Sequence, residues 1–102
     1  MATFVTVAKT GELAPDRGKM VEVNHHRIAL FNTGGRYYAI DDMCPHRGGP
    51  LSAGELQGTA VVCPWHEAIF DLATGAVTWS PAAVGVATYE VRVEGDDIAI
   101  AV

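Results

Sequence analysis

The chain has 102 residues, enough for one domain and too few for two cores of ordinary size. Its hydrophobic residues, 49% of the total, fall in short runs, so no transmembrane helix of about 18 apolar residues is expected. The formal charge of −5 comes from 7 Lys and Arg against 12 Asp and Glu, with no basic cluster, which argues against a nucleic-acid binder. Two cysteines are fewer than a secreted disulfide scaffold of this length carries. The first residues, Met1 to Val7, lack the basic and long apolar regions of a secretory signal, so a cytoplasmic protein is expected.

Taken in chain order, the predicted elements are short and β-like. Phe4-Val5-Thr6-Val7 opens the series, and Met20-Val21-Glu22-Val23 follows a turn at Pro15-Asp16-Arg17-Gly18. Ile28-Ala29-Leu30-Phe31 and Tyr37-Tyr38-Ala39-Ile40 flank Asn32-Thr33-Gly34-Gly35, a strong hairpin connection. His25 and His26, at a predicted strand edge, are read as structural.

A loop-rich stretch runs from Asp41 to about Leu56, punctuated by Pro45, Gly48, Gly49, Pro50 and Gly54. Ala60-Val61-Val62 and Ile69-Phe70-Asp71-Leu72 are strand candidates on either side of the second cysteine, and Thr74-Gly75 turns the chain into Val77-Thr78-Trp79. In the tail, Tyr89, Val91 and Val93 alternate with Glu90, Arg92 and Glu94. Gly95-Asp96-Asp97 then turns into Ile98 to Val102. Only Gly54-Glu55-Leu56 and the region around Ala82-Ala83 suit a helical turn.

This pattern predicts one all-β domain over residues 1–102. Its antiparallel β-sandwich base is drawn from 1–40 and 82–102, and a smaller lobe, 41–81, is inserted between them.

Every candidate metal ligand lies in that lobe. Cys44-Pro45-His46 and Cys63-Pro64-Trp65-His66 read as C-x-H and C-x-x-H, and they use both cysteines and two of the four histidines. A Cys and a His so close in sequence reach one site only if the backbone between them curls, and Pro45 and Pro64 stiffen those curls. Gly48 and Gly49 let backbone amides approach a ligand without a Cβ in the way. Two thiolates and two imidazoles suit either tetrahedral Zn²⁺ or a [2Fe–2S] cluster with one Cys₂ iron and one His₂ iron. In the cluster, two Fe³⁺, two sulfides and two thiolates sum to neutral, and one added electron leaves a single negative charge. That is a modest burden for a half-buried site.

At these residues the sequence resembles the Rieske-type ferredoxins and Rieske domains. The likeness extends through Arg47-Gly-Gly-Pro-Leu-Ser-Ala-Gly54, Phe70-Asp71-Leu-Ala-Thr74-Gly75, the Ser80-Pro81-Ala82 loop and the closing strands from Val86 to Val102. It implies a Rieske-type fold with one [2Fe–2S] cluster, Cys44 and Cys63 on the inner iron and His46 and His66 on the outer one. Arg47, Gly48, Trp65 and Pro81 are implied as supports of the cluster loops. Trp65 is expected to pack over the cluster loop rather than serve in a docking patch. Glu67, where many relatives have glycine, is read as solvated surface.

There is no G-x-G-x-x-G after a strand and no P-loop, so the chain is not expected to be an enzyme alone. The resemblance implies a monomeric electron carrier between an NAD(P)H-dependent flavoprotein reductase and a Rieske non-haem iron oxygenase acting on aromatic rings. Docking with both should be transient, with Asp41, Asp42, Glu55 and Glu67 as candidate steering charges. A small subunit of a nitrite-reductase-like enzyme and a structural Cys₂His₂ zinc module are the alternatives.

The residues after His66, Glu67-Ala68-Ile69, lack the Ser and Tyr hydroxyls found at the cluster in high-potential relatives. The midpoint potential is therefore expected toward the low end of a range of about −150 to +300 mV. A redox titration returning a value above roughly +100 mV would overturn that expectation.

Overall fold

A computed structural model describes residues 3–43, 49–65, 68–79 and 85–102. These form strands β1 (Phe4–Lys9), β2 (Arg17–Val23), β3 (His26–Thr33), β4 (Arg36–Asp41), β5 (Glu55–Gln57), β6 (Ala60–Val62), β7 (Ile69–Asp71), β8 (Val77–Trp79), β9 (Thr88–Tyr89), β10 (Val91–Glu94) and β11 (Asp97–Ala101). Short 3₁₀ turns lie at Thr10–Glu12 and Leu51–Ala53. All strand pairs are antiparallel, and the sheets run β1-β11-β10, β2-β3-β4-β9 and β5-β6-β7-β8.

The apolar run Ile28-Ala29-Leu30-Phe31 explains the layering. Its four residues are wholly buried, as expected for a strand covered on both faces. Because successive side chains on a strand point to opposite faces, the run feeds two different cores. Ile28 and Leu30 pack with Ala8, Val21, Val23, Ala39, Ile98 and Ile100 in the base. Ala29 and Phe31 pack with Ile40, Leu51, Val61, Cys63, Phe70 and Leu72 against the third sheet. Burial of Phe31 and Phe70 contributes roughly 1.5–3 kcal/mol each. Sheet β2-β3-β4-β9 is thus the middle layer, and it carries the third sheet that holds the second cysteine.

The hairpins follow from turn chemistry. Gly34 and Gly35 have φ of 61° and 77°, the paired left-handed residues of a tight two-residue hairpin loop. Thr33 belongs to the strand and pairs with Arg36, so this loop is shorter than the four-residue connection read from sequence. Asn24 and His25 make the equivalent turn between β2 and β3, with φ of 49° and 68°. His26 opens β3 and meets the Tyr89 ring edge-on at 6.4 Å between centroids.

Two expectations need correction. The turn expected at Gly54-Glu55-Leu56 lies three residues earlier, at Leu51–Ala53, and Glu55–Gln57 is a strand paired with β6. Gly54 marks the change: a Cβ there would sit 2.2 Å from the Val62 carbonyl, so the chain must run hard against β6 from this point. The alternative turn at Ala82-Ala83 falls outside the described residues. The alternating stretch 89–94 is not one strand either. Tyr89 pairs with Ala39 in the middle sheet, Val91 pairs with Ile100 in the base sheet, and the chain changes sheets at Glu90. The Glu90 carbonyl accepts the Ala101 N–H there, at 3.0 Å.

Tyr89 also ties β9 to the exit of β4. Its hydroxyl donates to Asp41 Oδ1 at 2.6 Å, and the Asp41 N–H donates to the Ala87 carbonyl at 3.0 Å. Partial burial first, then the Asp41 hydrogen bond and charge, push the Tyr89 phenol up to about 12. A raised folded-state value means that the folded protein holds this proton longer than the unfolded chain does. The associated stability is present below pH about 10 and is lost as pH rises toward about 12. Tyr89→Phe should lower stability by roughly 1 kcal/mol near pH 8. The gap to wild type should close above pH 11 to 12, as followed by chemical denaturation across pH; a gap constant with pH would show that the phenol bond is not responsible.

Candidate metal centre

Two loops project from the third sheet and its junction with the middle one. The first leaves β4 through Asp42 and Met43 and returns at Gly49 and Pro50, with a bridge between Met43 and Pro50 closing its neck. The Asp42 carbonyl accepts the Leu51 N–H at 2.7 Å, which holds the returning strand against the departing one. Cys44, His46, Arg47 and Gly48 lie between these points, outside the described residues. The second loop is the tip of the β6–β7 hairpin. Its last paired residues are Val62 and Ile69, and the Cys63 N–H donates to the Ala68 carbonyl at 2.7 Å. Pro64 and Trp65 are described; His66 and Glu67 are not.

Gly49 is where the loops meet. A Cβ built on it would lie 3.1 Å from Cys63 Sγ and 3.0 Å from Trp65 Cγ. Glycine thus allows the first loop to close directly over the cysteine of the second. Cys63 is wholly buried and is not part of a disulfide. Trp65 packs one side against Gly49 and remains 57% exposed. Met43 is equally exposed at 57%. With Arg27, Asp42 and Pro50 these two side chains line a cleft of about 240 Å³ beside the loop necks.

A third segment leaves β8 and is described again from Gly85; Ser80, Pro81 and Ala82 are outside the described residues. The Val86 N–H donates to the Gly75 carbonyl at 2.8 Å, and Gly75 has φ of 76°. A Cβ on Gly75 would fall 2.0 Å from the Val86 carbonyl, so the close approach of the two backbones requires glycine.

The candidate steering acids divide. Asp42 is only 2% exposed, and its carboxylate accepts the Ser52 N–H at 2.8 Å. Asp41 is half-buried and engaged by Tyr89. Neither presents a free charge to a partner, whereas Glu55 is exposed. Glu67 is outside the described residues. Sequence reasoning had no means of separating these acids, because adjacent aspartates leaving a strand look alike until the loop that folds back over them is seen.

The donor chemistry fits an iron–sulfur centre: a buried thiol capped by a glycine, beneath a rim that is half open. The Rieske [2Fe–2S] domain family matches residues 3–90, and the chain belongs to that family and carries one [2Fe–2S] cluster. The 3-phenylpropionate/cinnamic acid dioxygenase ferredoxin subunit of Escherichia coli K12 is 50% identical over 74 residues, spanning 72% of this chain and 70% of that protein. The ferredoxin of carbazole 1,9a-dioxygenase from Nocardioides aromaticivorans IC177 superposes with a TM-score of 0.92 at 32% identity, covering 97% of each chain. A similar match, with a TM-score of 0.89 at 29% identity over 96% of this chain and 92% of the other, is to a complex of reduced oxygenase and oxidised ferredoxin in carbazole 1,9a-dioxygenase. No helix among the described residues is long and apolar enough to cross a membrane.

Filling the Gly49 gap should loosen the centre. Gly49→Ala puts a methyl into the space against Cys63 and Trp65, an overpacking of roughly 1–3 kcal/mol. The purified variant should hold less iron per chain than wild type, measured against protein by amino-acid analysis. Full iron content with an unchanged visible spectrum would mean that the loops do not need this contact.

Proposed function

We propose that this chain is the ferredoxin of a Rieske non-haem iron oxygenase system that hydroxylates aromatic rings. It takes one electron at a time from an NAD(P)H-dependent flavoprotein reductase and delivers it to the terminal oxygenase. It has no catalytic reaction of its own. The observation that carries this reading is the 50% identity to a dioxygenase ferredoxin subunit through the segment that holds both ligand loops. The convergence of Gly49, Cys63 and Trp65 supports it from the geometry.

In this reading Cys44 and Cys63 hold the inner iron, and His46 and His66 hold the outer one. Arg47, Gly48, Trp65 and Pro81 support the loops. When bound, the cluster accepts and returns a single electron. Cys63 supplies its thiolate from a position sealed by Ala29, Leu51, Val61 and Phe70, which keeps bulk water from the inner side. Gly49 permits the loops to close. Trp65 and Met43 offer an apolar rim next to the loops, against which a partner can exclude water without forming a large interface.

Docking is therefore small and transient, guided by charge outside the apolar rim. The carrier acts as a monomer in the cytoplasm. Residues 1–40 and 82–102 form the base, and 41–81 form the lobe that partners meet.

The test is anaerobic purification followed by visible spectra with and without dithionite, iron analysis, and a reconstituted assay with reductase and terminal oxygenase. A brown protein with about two irons per chain that bleaches on reduction is expected. Product formation should depend on adding it. His46→Cys should change the spectrum. A protein that bleaches normally but does not support oxygenase turnover, while copurifying in fixed ratio with a large catalytic chain, would replace the shuttle with a subunit role.

A further inference from the structure

Asp42 is the only charged residue among the buried side chains of the described residues. It stands two positions before Cys44, yet its carboxylate is turned inward onto the backbone. Three bonds converge on this residue. Its N–H donates to the Arg27 carbonyl at 2.9 Å, its carbonyl accepts the Leu51 N–H at 2.7 Å, and its Oδ1 accepts the Ser52 N–H at 2.8 Å. The first bond roots it in β3; the other two seize the chain as it returns from the ligand loop.

The carboxylate meets a local need. Leu51 and Ser52 begin a 3₁₀ turn, and the first N–H groups of such a turn have no acceptor within it. The preceding residue, which would ordinarily cap them, is Pro50, and it provides no side-chain cap. Asp42 caps the turn from across the loop neck instead. One residue thus serves both needs: its carbonyl closes the ring of residues 43 to 51, and its carboxylate takes the next N–H of the turn, that of Ser52. Leu51, at the end of that ring, is wholly buried in the same cluster as Cys63. The cap therefore references the first loop to the core that carries the second.

We propose that Asp42 is a positioning residue for the electron-transfer centre: by capping the Leu51–Ala53 turn it fixes the span of the loop bearing Cys44 and His46. This rests on the reading of those two residues as cluster ligands. The Asp42 carboxylate touches no ligand, and it acts through the loop neck. An alanine at this position retains the two backbone bonds and loses the cap. An asparagine retains an oxygen that can accept from Ser52.

The experiment compares holoproteins of wild type, Asp42→Asn, Asp42→Ala and Thr33→Val. Thr33 is also buried, and its hydroxyl donates to the Gly58 carbonyl at 2.9 Å, a side-chain bond made at the β5–β6 turn and not at a ligand loop. Iron release to a chelator and the visible circular dichroism of the cluster are the readouts. Asp42→Ala should release iron faster, by up to about tenfold, the lower end of what loss of a group bonded directly to a ligand costs in metal affinity, with an altered dichroism band. Asp42→Asn and Thr33→Val should stay close to wild type. Equal release from Asp42→Ala and Thr33→Val at similar losses of melting temperature would overturn the proposal, because any destabilisation would then do the same.

Should Asp42→Ala fail to fold, amide exchange in the wild-type holoprotein decides. The Ser52 amide should be protected as strongly as Leu51, and free exchange there would overturn the proposal. A wild-type protein without a [2Fe–2S] spectrum would instead remove the underlying reading.

Discussion

Cys63 belongs to two systems at once. It is a wholly buried member of the apolar cluster of Ala29, Phe31, Ile40, Leu51, Val61, Ala68, Phe70 and Leu72, and it is a candidate ligand. Anything that sets the packing of the third sheet on the middle one therefore also sets where this sulfur stands. The alternation of β3 is the root of that arrangement. Ala29 and Phe31 face the lobe while Ile28 and Leu30 face the base, so a single strand registers both cores. A one-residue slip of β3 would exchange the faces and ruin both.

Around that fixed cysteine the loops are held mainly at their necks. The Met43–Pro50 bridge, the Cys63 to Ala68 hydrogen bond and the Val86 to Gly75 hydrogen bond each close a stem. Rigid stems under short tips suit a centre that exchanges one electron, since little needs to move when the charge changes. Beside the stems, Trp65 and Met43 are exposed, apolar area that the fold leaves unused.

Much of this was legible in the sequence, and for identifiable reasons. C-P-H and C-P-W-H are local patterns whose chemistry needs no tertiary context, and the run 28–31 announces a strand covered on both faces. The Gly34-Gly35 hairpin follows from backbone sterics alone. The failures are equally specific. The stretch 89–94 keeps a period of two while it changes sheets at Glu90, so periodicity carries no sign of the crossing. The Leu51–Ala53 turn depends on a cap from Asp42, ten residues before Ser52, which window-based reasoning does not include. Asp41 and Asp42 looked like surface charge because burial by a returning loop is invisible in a linear string.

By itself, the sequence determined the all-β class, the family and the residue types available to hold a cluster, because these rest on local spacing, alternation and turn chemistry. Tertiary structure alone decided that Cys63 lies in the core, that Gly49 closes the first loop over it and that Asp42 works inside the fold. Those facts come from contacts between segments far apart in the chain. Their energies depend on which backbone groups and side chains are brought together, and no single segment encodes that.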